Sequence, residues 1–179
     1  AVALYLGMIL FSYDRADPAW SHDVAATVVH NPGGTMGAYL SDILLWLFGF
    51  SAWWWVTLLL QQVWSGYRSL RADSLFDRRT LWVTLGGFAV LLLSSSALEH
   101  LRLYTLPVEL PDRHGGMLGT VLGPWLAQLL GYEGATLFLL VLMATGFSLY
   151  TGLSWLRFTD RLGGWLEDGW AWARHAWQT

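Results

Sequence analysis

The chain contains no cysteine and no lysine. Charged residues of any kind make up 13% of its 179 residues, and ten arginines against thirteen acidic residues give a net charge of −3. Without thiols, disulfides, thiolate nucleophiles and cysteine metal sites are excluded. Without a basic tract there is nothing to neutralise a phosphate backbone, so no direct nucleic-acid contact is expected of these residues. What fills the chain is apolar: 55% hydrophobic residues and a mean hydropathy of +0.41, too apolar for an ordinary soluble domain.

The few charges fall between long apolar runs. Residues 43–67, 80–98 and 134–156 are charge-free over 25, 19 and 23 residues. A helix needs about 20 mostly apolar residues to cross a bilayer. Gly49 interrupts the first run, which places a span at about 50–67, with others at about 80–98 and 134–156. Residues 1–13 are uncharged and open in mid-run without Met, and are taken as the outer part of a truncated first span. Orientation follows the arginines. Arg68, Arg71, Arg78 and Arg79 in the middle loop, and Arg157, Arg161 and Arg174 in the tail, stand against Arg15, Arg102 and Arg113 elsewhere. The positive-inside rule puts the middle loop and both termini in the cytoplasm. Residues 157–179 carry four tryptophans among acidic and basic residues and read as an amphipathic cytoplasmic tail.

A repeat organises the rest. NPGGTMGAYLSDILLWLFG (31–49) and RHGGMLGTVLGPWLAQLLG (113–131) align at a constant offset of 82, with seven identities between positions 33 and 49. An apolar segment follows each copy, predicting two parallel halves. Each copy places large apolar residues on one face of a helix, over about 37–48 and 117–130, read as interfacial or re-entrant helices on the periplasmic side. Pro124 breaks the second or opens a new helix there. Gly33-Gly34 and Gly115-Gly116 supply positive φ for a sharp entry. Asp42 is expected near water, where a charge is affordable. Ala144, Ser148 and Gly152, four apart, are helix-packing candidates, as are Gly86 and Gly87.

No catalytic constellation emerges. His22, His30, His100 and His114 fall on the outer side with several carboxylates, but neither HExxH nor histidines at ligand spacing occur. They read as loop histidines facing water, and no catalytic, cofactor or metal residue is assigned. Ser94, Ser95 and Ser96 lie within a span, where serine bonds its own helix. Gln61 and Gln62 are expected to bond between helices. A periplasmic metal-dependent cell-wall hydrolase using the outer histidines, and a small transporter subunit suggested by the parallel halves, stand as alternatives.

YDRADPAWSHD followed by VHNPGGTMGAYLSDILLWLFG resembles the four-span N-terminal domain of the FtsK/SpoIIIE family of bacterial DNA translocases. The residues carrying the resemblance are Asp17, Pro18, Trp20, Ser21, Asn31, Gly33, Gly34, Gly37 and Asp42, then Gly115, Gly116 and Gly119 in the second copy. The resemblance implies an all-α integral membrane domain of four transmembrane helices in two parallel repeats. It implies an anchor at the division septum of the bacterial inner membrane, a scaffold for oligomerisation (a hexamer) and for division proteins such as FtsZ, FtsQ, FtsL and FtsI. The motif residues would then be periplasmic interaction candidates. A cytoplasmic motor using ATP and Mg would drive DNA, but this chain has no Walker P-loop and is expected to be no enzyme itself.

Overall fold

The computed structural model describes residues 1–21, 29–72, 78–103, 110–152 and Trp170. Among these every regular element is helical. The helices are α1 (Val2–Phe11), α2 (Gly34–Phe48), α3 (Trp54–Ala72), α4 (Arg78–Arg102) and α5 (Gly116–Thr151), with a 3-10 turn, Gly49–Trp53, between α2 and α3. The runs Gly34–Tyr67, Leu81–Arg102 and Gly116–Thr151 are long and apolar enough to cross a membrane, and Val2–Phe11 is a shorter apolar helix. The tail 157–179 lies outside the described residues except for Trp170.

Each helix departs from its expected bounds for a local reason. α2 begins at Gly34 rather than 37, because Gly34 N–H donates to Asn31 O and Gly37 N–H to Gly33 O, closing the first turn over the glycine pair itself. The span expected at 50–67 opens with the 3-10 turn and is α-helical only from Trp54. α4 runs past its apolar stretch at both ends, from Arg78 to Arg102, and its last turn is held by the bonds of Arg102 to Thr136 and Glu133. Pro124 neither breaks nor opens a helix. It sits inside α5, exposed, and leaves the helix continuous.

The break in α5 falls instead at Gly131, whose φ of 71° and ψ of 163° only glycine adopts readily. It divides the element into 116–130 and 132–151, about 22 Å and 30 Å long. Gly49 does the same between α2 and the 3-10 turn, with φ 63° and ψ −146°. The two glycine motifs also share an entry pattern, because Gly116 N–H donates to Arg113 O and Gly119 N–H to Gly115 O. The correspondence stops at the first glycine of each pair, with φ −78° at Gly33 and 81° at Gly115.

α4 packs along both parts of α5. A Cβ on Gly87 would lie 2.5 Å from Tyr150 N, and one on Gly146 2.6 Å from Leu91 N, so the two backbones touch where side chains are absent. This contact runs through Gly87, one of the expected packing glycines, and Gly146. Gly152 ends α5 in a left-handed conformation with open space around it. Gly86 likewise faces open space. The main apolar core gathers Ile9, Leu45, Phe48, Ala52, Phe88, Leu91 and Tyr150. A smaller one holds Ala97, Leu101, Ala135 and Leu139.

Candidate functional site

Three carboxylates, Asp17, Asp42 and Glu99, are buried. Asp17 (1% exposed) accepts hydrogen bonds from His30 N at 2.6 Å and Asn31 N at 2.8 Å. It thereby pins the segment that leads into α2. Asn31 passes the hold onward, its Nδ2 donating to Ile9 O at the end of α1 and its Oδ1 accepting from Gly33 N. Gly33 and Gly37 must be glycine for this approach, since a Cβ on Gly33 would meet Ile9 Cγ2 at 2.6 Å and one on Gly37 would meet Asn31 Oδ1 at 2.8 Å. Gly34 touches nothing and serves through its φ of 65°.

Asp42 (0% exposed) reaches back to the other half of the motif. It accepts from Trp20 N (3.1 Å), Ser21 N (2.8 Å), Ser21 Oγ (2.9 Å) and Tyr13 Oη (3.3 Å). Two backbone N–H groups and two hydroxyls offset the desolvation that burying the charge costs. The expectation put Asp42 near water; the structure buries it beneath these four donors instead. Trp20 lies edge-on against Trp46, ring centroids 5.1 Å apart, and remains largely exposed. The structure therefore brings Asp17, Pro18, Trp20, Ser21, Asn31, Gly33, Gly34, Gly37 and Asp42 into one clasp. The carboxylates and Asn31 face inward and offer a partner no surface, which leaves Trp20 as the motif's large exposed side chain.

Gly115, Gly116 and Gly119 form a second clasp against α4 and the end of α2. A methyl group at Gly115 or Gly119 would overlap the Ser96 carbonyl, and one at Gly116 would lie 2.5 Å from Gly49 N. Glu99 (2% exposed) closes this junction by accepting from Phe50 N (2.9 Å), Ser51 N (3.0 Å) and Ser51 Oγ (3.0 Å). A carboxylate here takes up the orphan donors at the start of the 3-10 turn and favours its positive end. The sequence alone gave Glu99 no individual role. The signal that would have found it was its position one turn inside the end of α4, opposite the interrupting Gly49.

The serines divide. Ser94 and Ser95 bond carbonyls of their own helix, whereas Ser96 Oγ donates to Phe48 O across to α2. Gln61 Nε2 donates to Tyr150 O at 2.6 Å, the expected bond between helices. The histidines are not uniformly facing water. His30 is exposed beside Asp14 and Asp17, but His100 Nδ1 lies 3.3 Å from His114 O, and His114 Nδ1 is buried with no hydrogen-bond partner among the described residues. His22 lies outside the described residues. Among those described, no three His, Asp or Glu side chains are placed to share a metal ion. Arg102 bolts the Gly131 bend to α4, with Nε to Thr136 Oγ1 (3.0 Å), an ion pair to Glu133, and its guanidinium 4.3 Å from the centre of the Tyr132 ring.

Comparison with known proteins matches residues 1–163 to the 4TM region of DNA translocase FtsK/SpoIIIE. The chain is 42% identical over 172 residues to DNA translocase FtsK 2 of Ralstonia nicotianae, covering 93% of this chain and 22% of that protein. It is 35% identical over 163 residues to DNA translocase FtsK of Pseudomonas putida, covering 91% and 19%. It is 34% identical over 165 residues to DNA translocase FtsK 1 of Neisseria meningitidis serogroup B, covering 91% and 20%. The chain thus spans about a fifth of the length of the curated relatives it matches. No solved structure matches it. The apolar helices, the two glycine clasps and the match over residues 1–163 agree: the chain belongs to the 4TM region of the FtsK/SpoIIIE DNA translocase family.

Proposed function

We propose that this chain is the membrane anchor and oligomerisation scaffold of a septal DNA translocase acting in cell division and chromosome segregation. In this reading it crosses the inner membrane four times in two parallel repeats, with both termini cytoplasmic. α2 and the first part of α5 then lie at the periplasmic face as interfacial or re-entrant helices. Copies gathered in one membrane patch raise the effective concentration of the motors they carry, favouring a hexameric ring. Division proteins such as FtsZ, FtsQ, FtsL and FtsI are the proposed partners.

One observation carries the reading. The polar groups of both clasps are spent inside the chain, while the outward faces of the helices are apolar, as at Met117, Val121, Trp125 and Leu129 and again at Leu137 and Val141. Such a body interacts through lipid and packing rather than through chemistry. The shares of 19–22% of relatives named DNA translocases support the place of the anchor in a larger protein.

The absence of native cysteine makes the test direct. Single cysteines at Thr35, Asp73, Gly123 and Asp168 are labelled from either side of the membrane. Thr35 is expected outside and Asp73 and Asp168 inside, while labelling depth at Gly123 separates a surface helix from a further crossing. Thr35 and Asp73 on the same side would overturn the topology, and a monomeric mass in lipid nanodiscs would overturn the scaffold.

A further inference from the structure

The two glycine motifs meet inside the chain, and their meeting leaves one end of each unused. The exit of the first, at Leu47 and Gly49, abuts the entry of the second. A Cβ on Gly116 would stand 2.5 Å from Gly49 N and 2.6 Å from the Leu47 carbonyl carbon. Gly116 is buried there, and Leu47 and Leu118 pack against the same apolar core.

At the offset of 82, the exit of the second motif is Leu129 and Gly131, and the entry of the first is Gly34 and Met36. Their backbones take the same turns. φ is 71° at Gly131 against 63° at Gly49, and 65° at Gly34 against 59° at Gly116. Yet these two ends do not meet. Gly34 is exposed, and among the described residues nothing lies within 4 Å of where a Cβ on Gly34 or Gly131 would stand. Met36 is 80% and Leu129 61% exposed, whereas their counterparts Leu118 and Leu47 pack into the core. Halves related by a half-turn would close this second junction within the chain. Any other rotation leaves an exit on one side of the molecule and an entry on another.

We propose that the free exit at Leu129 and Gly131 docks on the free entry at Gly34 and Met36 of a second copy of this chain, repeating between copies the junction made within one. Two unlike patches give a head-to-tail contact, which continues from copy to copy and forms a ring if the rotation closes. Backbones that approach at glycine, with apolar side chains beside them, are the means by which helices associate in lipid. Lipid itself asks for apolar surface, but not for matched glycines at both ends. One part of the internal junction is not repeated. Glu99 seals it by bonding Phe50 and Ser51, while its counterpart Asp17 is already bonded to His30 and Asn31. The contact between copies therefore rests on packing alone and is the weaker of the two.

This contact presupposes the oligomer and the shared periplasmic face proposed above. Mass in lipid nanodiscs separates them, because a monomeric wild-type chain overturns both, and an oligomer indifferent to these residues overturns the contact alone. Met36→Arg and Leu129→Arg, each at an exposed position, are each expected to reduce the full chain to a monomer. Mixed, they are expected to give a dimer and nothing larger, since one intact exit and one intact entry remain. Single variants that keep the wild-type mass, or a mixture that stays monomeric, would overturn the proposal. A second measurement does not depend on how the arginine variants fold. Met36→Cys/Leu129→Cys, treated with a short bis-maleimide in nanodiscs, is expected to give a ladder of covalently joined chains, and either single cysteine variant none. An absent ladder, or dimers from a single cysteine variant, would rule out the head-to-tail contact.

Discussion

Replacing Glu99 by glutamine is the sharpest perturbation of the junction between α2, α4 and α5. The carboxylate is 2% exposed and its two oxygens hold three donors: Phe50 N, Ser51 N and Ser51 Oγ. Glutamine keeps one acceptor and turns the other oxygen into a donor. Whichever way the amide is oriented, at least one backbone N–H then faces another N–H. A buried unsatisfied donor costs about 1–3 kcal/mol, and the surviving bonds lose charge assistance worth about 1 kcal/mol. The sum, about 2–4 kcal/mol, corresponds to a fall in Tm of about 10 °C for a chain of this length. Ser51→Ala removes one hydroxyl donor and leaves both backbone bonds, at a cost of about 1 kcal/mol. The double variant is expected to lose less than the sum of the two, because both act on one carboxylate. The thirteen tryptophans make intrinsic fluorescence on heating in detergent a direct assay. A Glu99→Gln chain melting within about 2 °C of wild type would refute the claim that this carboxylate holds the junction together.

Further outcomes follow from the same geometry. Gly119→Ala places a methyl group onto the Ser96 carbonyl and is expected to cost about 3 kcal/mol or to prevent folding, while Gly86→Ala, in open space within α4, is expected to stabilise by about 0.5–1 kcal/mol; thermal melts of the two variants side by side decide this. Gly131→Ala is expected to destabilise by about 1–3 kcal/mol although nothing lies near it, purely because of its backbone angles, as read by the same melts. Asp42→Ala, which strands the N–H groups of Trp20 and Ser21, is expected to lower Tm, while Trp20→Ala, at an exposed edge, is expected to leave it within about 2 °C. Protease sensitivity of the 13–31 segment checks the first of these, because loss of the Asp42 bonds frees that segment for cleavage.

The sequence by itself determined the class of the molecule. Long charge-free runs are apolar whatever they pack against, so the membrane helices could be read from length alone. The glycine pairs also announced themselves, because a positive φ is a local demand, met here at Gly34, Gly115 and Gly116. The self-bonding of Ser94 and Ser95 followed from local chemistry in the same way. Tertiary structure decided which polar groups meet. Asp17, Asp42 and Glu99 look alike in the sequence, three carboxylates near the ends of apolar runs. Their burial depends on N–H donors delivered from 13 to 49 residues away. The same holds for the partner of Gly87, since the sequence marked that glycine for packing but not Gly146 as the residue facing α4. A close approach of two helices is set by their crossing point, and that point depends on every other contact in the bundle.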